Sequence, residues 1–180
     1  MGKEELEIAS KMVKPIYATA VFNVSRSGIA YTLIFDYIDP MGYYREILGN
    51  EDLKREEIER LTGNMQEYLD EEETTVNGLP ARPEVVFTDI GFRGDLSRPF
   101  IAFLILIDAE IRRGVNVYEN RYEPDVFEYD YSAYWVFPKS SRIIEVIMGG
   151  EVTIIDNVII IRGSRGDTAP GYERIKFEFR

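Results

Sequence analysis

A chain of 180 residues is long enough for one domain with a sizeable core, and 45% hydrophobic with 29% charged residues describes a globular rather than a disordered sequence. A formal charge of −11 opposes a phosphate-neutralising surface, so neither nucleic acid nor an anionic membrane is an expected partner. Cysteine and histidine are both absent, which excludes disulfides, thiolate nucleophiles, His-dependent triads and Cys- or His-ligated metals.

Fifteen of the 21 basic residues are Arg, and Gln occurs once, at Gln66. Many charges with few thermolabile residues point to a thermophilic source. Residues 1–7 carry no apolar signal-peptide core, and the longest apolar run, 99–107, is too short to span a bilayer. A cytoplasmic location is expected.

In chain order, residues 1–14 read as a weakly helical lead-in ended by Pro15, since proline keeps its predecessor out of α geometry. Residues 16–24 and 29–38 are β-branched and aromatic runs around Ser25-Arg26-Ser27-Gly28, a predicted hairpin. Residues 50–70 are the principal helix. Asn50 caps it, Glu51 and Asp52 suit its positive end, and Leu53, Glu57, Ile58, Leu61, Met65, Tyr68 and Leu69 form its stripe. Acidity concentrates here. Residues 46–73 hold eleven acids against Lys54, Arg55 and Arg60, ending in Asp70-Glu71-Glu72-Glu73. That run reads as a solvated helix face and exposed turn, with cation binding or a basic partner as the alternative.

Residues 84–180 form the main antiparallel β region. Residues 100–107 are apolar on both faces, which predicts a central strand covered on both sides. Asp156-Asn157 reads as a two-residue hairpin turn, and Ile175, Phe177 and Phe179 share one face of the last strand. The organising feature is a predicted hairpin over 115–137, turning at Pro124-Asp125. Alternation puts Tyr118, Tyr122, Phe127, Tyr129, Tyr131, Trp135 and Phe137 on one face and Glu119, Arg121, Glu128 and Asp130 on the other. The aromatic face reads first as core, then as a pocket or stacking platform.

Counting back from the turn sets Arg121 opposite Glu128 and Glu119 opposite Asp130. Adjacent carboxylates share a proton for acid–base work, or hold Ca²⁺ or Mg²⁺. Glu119, Glu128 and Asp130 with Arg121 are thus the candidate catalytic set, and Glu119 with Asp130 the candidate metal pair. Tyr118, Tyr122, Tyr129, Tyr131 and Trp135 are candidate binding residues. Arg93 and Arg98 are candidate anion-binding residues, read first as a loop salt bridge. Walker A and G-x-G-x-x-G patterns are absent.

The expectation is therefore a single domain over 1–180, mainly β in an α+β sense. It is an antiparallel sandwich or a strongly curved, partly closed sheet of nine or ten strands with one principal helix. A non-catalytic binding or structural module, with a small-molecule or protein ligand and no evident cofactor, is the first functional expectation. A carboxylate-dependent hydrolase with a hard divalent cation is the second, and a homo-oligomer subunit the third.

Overall fold

The structure, a computed structural model, describes residues 1–180. Helix α1 (Lys3–Met12) leads into β1 (Lys14–Ser25), β2 (Gly28–Ile38), α2 (Tyr43–Leu48) and α3 (Glu51–Asp70). Then come β3 (Glu73–Val76), β4 (Leu79–Pro80), β5 (Pro83–Phe92), β6 (Pro99–Asp108), β7 (Gly114–Arg121), β8 (Asp125–Val126) and β9 (Asp130–Val136). The chain ends with β10 (Ser141–Ile147), β11 (Glu151–Ile155), β12 (Val158–Gly163), β13 (Thr168–Ala169) and β14 (Tyr172–Phe179). Strands hold 52% of the residues and helices 20%, in a sandwich-like arrangement with no closed barrel. No helix is long and apolar enough to cross a membrane.

Seven strands form one sheet in the order β11-β12-β9-β1-β2-β6-β5, five form a second in the order β10-β14-β7-β3-β4, and β13 pairs with β8. Every pairing is antiparallel except β1 with β9. One cluster of 22 buried hydrophobic residues joins the inner faces, with Ile105, Trp135 and Ile159 from the wide sheet and Ile175 and Phe177 from the narrow one. Helix α3 covers the part of the wide sheet beyond the narrow one. Its Thr62 hydroxyl bonds the Thr88 hydroxyl of β5 at 2.7 Å, and Thr88 shares the inner face with Phe103 of β6.

Asn50 caps α3 as its chemistry predicts, its side-chain oxygen accepting from the Asp52 and Leu53 amides at 3.0 and 3.2 Å. The charge within the helical stripe also has a cause. Buried Glu57 accepts both Tyr43 and Tyr44 hydroxyls and a two-pronged bond from Arg60. Those tyrosines belong to α2, six residues with no periodicity to announce them. Asp39 anchors α2 by accepting the amides of Gly42, Tyr43 and Tyr44.

Two expectations are corrected. The hairpin over 115–137 does not form: β7 lies in the narrow sheet between β14 and β3, and β9 in the wide sheet between β12 and β1. Pro124-Asp125 is no tight turn but part of a segment crossing from one sheet to the other. The 164–171 loop holds that segment through β8–β13 pairing, Phe127 N–H donating to Asp167 O at 2.9 Å, and Tyr122 N–H donating to Gly171 O at 3.1 Å. Gly171 (φ 78) lets the two segments meet, since a Cβ there would stand 2.8 Å from Pro124. Nor is the 100–107 strand covered on both sides. Ile101, Phe103, Ile105 and Ile107 of β6 are buried, while Leu104 and Leu106 on its other face are 39% and 44% exposed.

Candidate functional site

Losing the hairpin leaves its aromatic series together but changes how it meets. Tyr118 on β7 and Trp135 on β9 face each other across the sandwich, with ring centroids 4.9 Å apart. Trp135 also stacks on Phe22 of β1, rings parallel within 1° at 4.0 Å, and Phe22 stacks on Tyr31 of β2 at 4.5 Å. Such contacts add about 0.5–1.5 kcal/mol each beyond area burial. They prop the sheets apart beside the end of α3 and leave a cavity of about 410 Å³.

Four elements enclose the cavity. The wide sheet supplies Phe22, Tyr31, Tyr131 and Trp135, the narrow sheet Tyr118, Asn120 and Glu173, α3 Met65, Tyr68 and Leu69, and the crossing segment Tyr122 to Tyr129. Tyr131 is held by donating to Gly149 O at 3.2 Å and packs flat on Gly163, where a Cβ would collide with its ring. Of 26 lining residues, ten are aromatic and five are acids: Glu72, Glu123, Asp125, Glu128 and Glu173. None is Lys or Arg.

A polar ladder crosses the narrow sheet's inner face at this level. Thr74, Asn120 and Glu173 are cross-strand neighbours on β3, β7 and β14. The Thr74 hydroxyl donates to the Asn120 carbonyl oxygen at 3.0 Å, and the Asn120 amide donates to Glu72 at 2.8 Å. The Tyr122 hydroxyl donates to Glu173 at 3.2 Å. Burial pushes the Glu173 carboxyl up to about 7; Tyr122's hydrogen bond pulls it back, and nearby Glu72 adds to the rise. Burial also raises Glu72, against the pull of Asn120. Tyr122 is raised by burial and by Glu173, and Tyr131 is pushed up to about 12 by burial first, then Glu173 and Asp167. Every hydroxyl facing these carboxyls therefore stays protonated and can donate.

The cavity opens on an acidic vestibule of Glu71, Glu72, Glu73, Glu123 and Asp125, with Arg121 its one base. Thus the acidic run after α3 does not simply face solvent; it lies at the entrance. Tyr118, Tyr122, Tyr129, Tyr131 and Trp135 all line the cavity, and so does exposed Glu128. The other predicted residues are dispersed. Glu119 points away on the outer face of the narrow sheet, opposite Arg174, accepting from the Tyr172 hydroxyl at 2.6 Å. Arg121 lies 3.9 Å from it and over the Tyr172 ring. Asp130 is on the wide sheet opposite Tyr17 and accepts the Arg165 amide.

The pairs Glu119–Asp130 and Arg121–Glu128 are therefore not formed, and the metal and acid–base roles resting on them lose their geometry. No group of three or more Asp or Glu residues is placed to hold a metal ion. Arg93 pairs with Asp36 at 3.0 Å and covers the Phe100 ring, and exposed Arg98 closes the same loop; neither lines the cavity.

Glu173, Asn120 and Glu72 were missed as individual residues. The first two had a signal, since each falls in phase with a buried apolar series: Glu173 with Ile175, Phe177 and Phe179, and Asn120 with Tyr118.

No protein-family model and no curated protein matches the chain. Among solved structures, yeast LTA4 hydrolase in complex with bestatin is similar at 9% identity and a TM-score of 0.38, over 94% of this chain and 29% of that one. An M1 zinc metallopeptidase from Deinococcus radiodurans is similar at 10% identity and 0.35, over 92% of this chain and 42% of that one. The chain thus spans less than half of either, and likeness at this level defines neither a shared fold nor a shared chemistry.

Proposed function

We propose that the chain is a binding module for an organic cation, an amine or quaternary ammonium carried on an apolar body. The observation that carries this reading is the lining: ten aromatic rings and five carboxylates with no basic side chain. Ring faces attract a desolvated cation, worth about 0.5–2 kcal/mol each. Glu72 and Glu173, when ionised, supply negative charge beside the rings, and the acidic vestibule concentrates cations at the entrance. An anion meets carboxylates at every depth. A neutral apolar ligand gains area but leaves the carboxyls and Asn120 without a charged partner. A volume of about 410 Å³ suits a small ligand, at the lower end of the ~300–1,000 Å³ usual for such pockets.

Trp135 is the single tryptophan and lies in the cavity wall, so its fluorescence reports occupancy directly. Titration with benzyltrimethylammonium should quench or shift that emission saturably. The neutral isostere neopentylbenzene should bind at least tenfold more weakly, and benzoate should not bind. Equal affinity for the cation and the neutral isostere would sink the reading.

A further inference from the structure

We infer that the outer face of the seven-stranded sheet is the interface of a symmetric homodimer. The register fixes which residues share that face. One cross-strand row reads Ile160, Tyr134, Val21, Thr32, Leu104 and Phe87, from β12 through β9, β1, β2 and β6 to β5. The flanking rows run from Ser132 to Ala102 and from Val136 to Leu106 across the four middle strands. No charged residue occurs in those three rows on β9, β1, β2 and β6, in a chain whose composition is 29% charged. Charge returns around them, with Glu84 and Asp89 on β5, Arg162 on β12, Glu151 on β11, and one row beyond on the middle strands Asp36 on β2, Asp130 on β9 and Asp108 on β6. An uncharged centre inside a charged rim is the anatomy of a protein–protein interface. Outward-facing Phe87, Leu104 and Leu106 are 56%, 39% and 44% exposed.

A second copy of this chain fits the face in area. Seven strands at ~4.8 Å spacing and roughly 20 Å of strand length give about 600 Å² before corrugation, near the ~800 Å² per partner of a standard interface. A two-fold axis across the strands would set Glu84 and Asp89 of both copies against each other. An axis along β1 instead lays β5 over the partner's β11–β12 edge. Asp89 shares its cross-strand row with Arg162 and Glu151, so this axis sets Asp89 of each copy over the other's Glu151, with Arg162 one strand further in. Val21 on the central strand then lies near the axis. The narrow sheet and the cavity entrance stay outside the contact.

Sedimentation velocity of the full chain from micromolar to submillimolar concentration should show a dimer. Association should strengthen with salt, because each copy carries −11. Thr32→Lys with Leu104→Lys should give a monomer whose circular dichroism matches the parent. Val115→Lys, on the outer face of the narrow sheet, should leave the dimer intact. The cysteine-free background allows a second measurement that does not depend on those variants folding. Val21→Cys should be cross-linked between copies by a short bis-maleimide, whose reach spans the ~10 Å between facing sheets that a disulfide cannot, and Val115→Cys should not. A wild-type monomer at the highest concentration overturns the inference and leaves the face to a different partner. A lysine double variant that still dimerises, or equal cross-linking at Val21→Cys and Val115→Cys, overturns it as well.

Discussion

Glu173→Gln tests the cation reading at its most sensitive point. The substitution keeps the shape of the side chain and its capacity to accept from Tyr122 while deleting the charge. A ligand cation about 4 Å from the carboxylate would feel ~4 kcal/mol of attraction at an effective dielectric constant near 20. Glu72 remains and cavity water screens the rest, so a loss of roughly 1.5–3 kcal/mol, about ten- to a hundredfold in affinity, is the expected result.

The pH dependence supplies an independent handle. Glu173 is raised from 4.5 to about 7, and the groups facing it are Glu72, Tyr122, Tyr118 and Tyr131, with no basic side chain in the cavity lining. The ionised form holds a permanent cation more tightly. Affinity for benzyltrimethylammonium should therefore rise by the same ten- to a hundredfold between pH 5 and about 7 and then level off.

Complex formation near pH 6.5 should release a proton, visible in titration calorimetry as a heat that varies with the ionisation enthalpy of the buffer. Without ligand the sign reverses. The folded state holds the Glu173 proton more tightly than the unfolded state, so this contribution is fully present below about 4.5 and lost as pH rises through about 7. Its size is at most roughly 3 kcal/mol at ~1.4 kcal/mol per pKa unit, less what cavity water screens. Glu173→Gln should flatten both profiles. A pH-independent affinity between 5 and 8, or a Gln variant that binds like the parent, refutes the reasoning.

Trp135→Ala removes a ring that is 2% exposed, stacked on Phe22 and tilted against Tyr118, so thermal melting should show a loss of about 3–5 kcal/mol. Gly163→Ala drives a Cβ into the Tyr131 ring and should cost about 1–3 kcal/mol; adding Tyr131→Ala, which makes room, should recover part of the melting temperature but not cation affinity. Glu57→Ala strands the buried hydroxyl of Tyr44 and frees Arg60, and should cost about 3 kcal/mol, or roughly 6–12 °C in melting temperature, with cation affinity unchanged. Replacing the ladder by Thr74→Val, Asn120→Leu and Glu173→Leu together should hold or raise the melting temperature while abolishing fluorescence-detected binding, because satisfied polar groups in a core seldom outperform well-packed apolar ones.

What sequence patterns show well here is local. The β1–β2 and β11–β12 hairpins, the Asn50 cap and the α3 stripe all depend on contacts within a few residues, which composition and period report directly. The 115–137 error has a physical origin. Alternation says which residues of a strand share a face, but the same alternation arises whether two neighbouring strands pair or stand in opposite sheets. Pro124-Asp125 looks like a turn in either case. What decides is the pairing of 125–126 with 168–169, about forty residues on. Grouping Tyr118, Tyr122, Tyr131 and Trp135 survived that error because inward-facing residues of opposed sheets meet as surely as those of one sheet. Grouping Glu119 with Asp130 did not survive it, because outward-facing residues of opposed sheets point apart.

That asymmetry bears on why polar groups occupy the interior at all. A sandwich of unequal sheets leaves part of the wide sheet uncovered on its inner face, and α3 closes most of the gap. A fold selected for stability alone would finish the job with apolar side chains, as Ile175 and Phe177 do a few residues along β14. Glu173 instead interrupts that series in phase, next to Asn120, and its burial raises its pKa at the expense of stability at neutral pH. The ladder's cost falls at the one place where the aromatic walls stand apart and the entrance is acidic. Meanwhile the middle of the wide sheet's outer face carries no charge. Carboxylates turned inward and aliphatics turned outward invert the usual sorting of a β-sandwich. Each inversion is explained once its surface has an occupant: a cation within, and a second copy of the chain without.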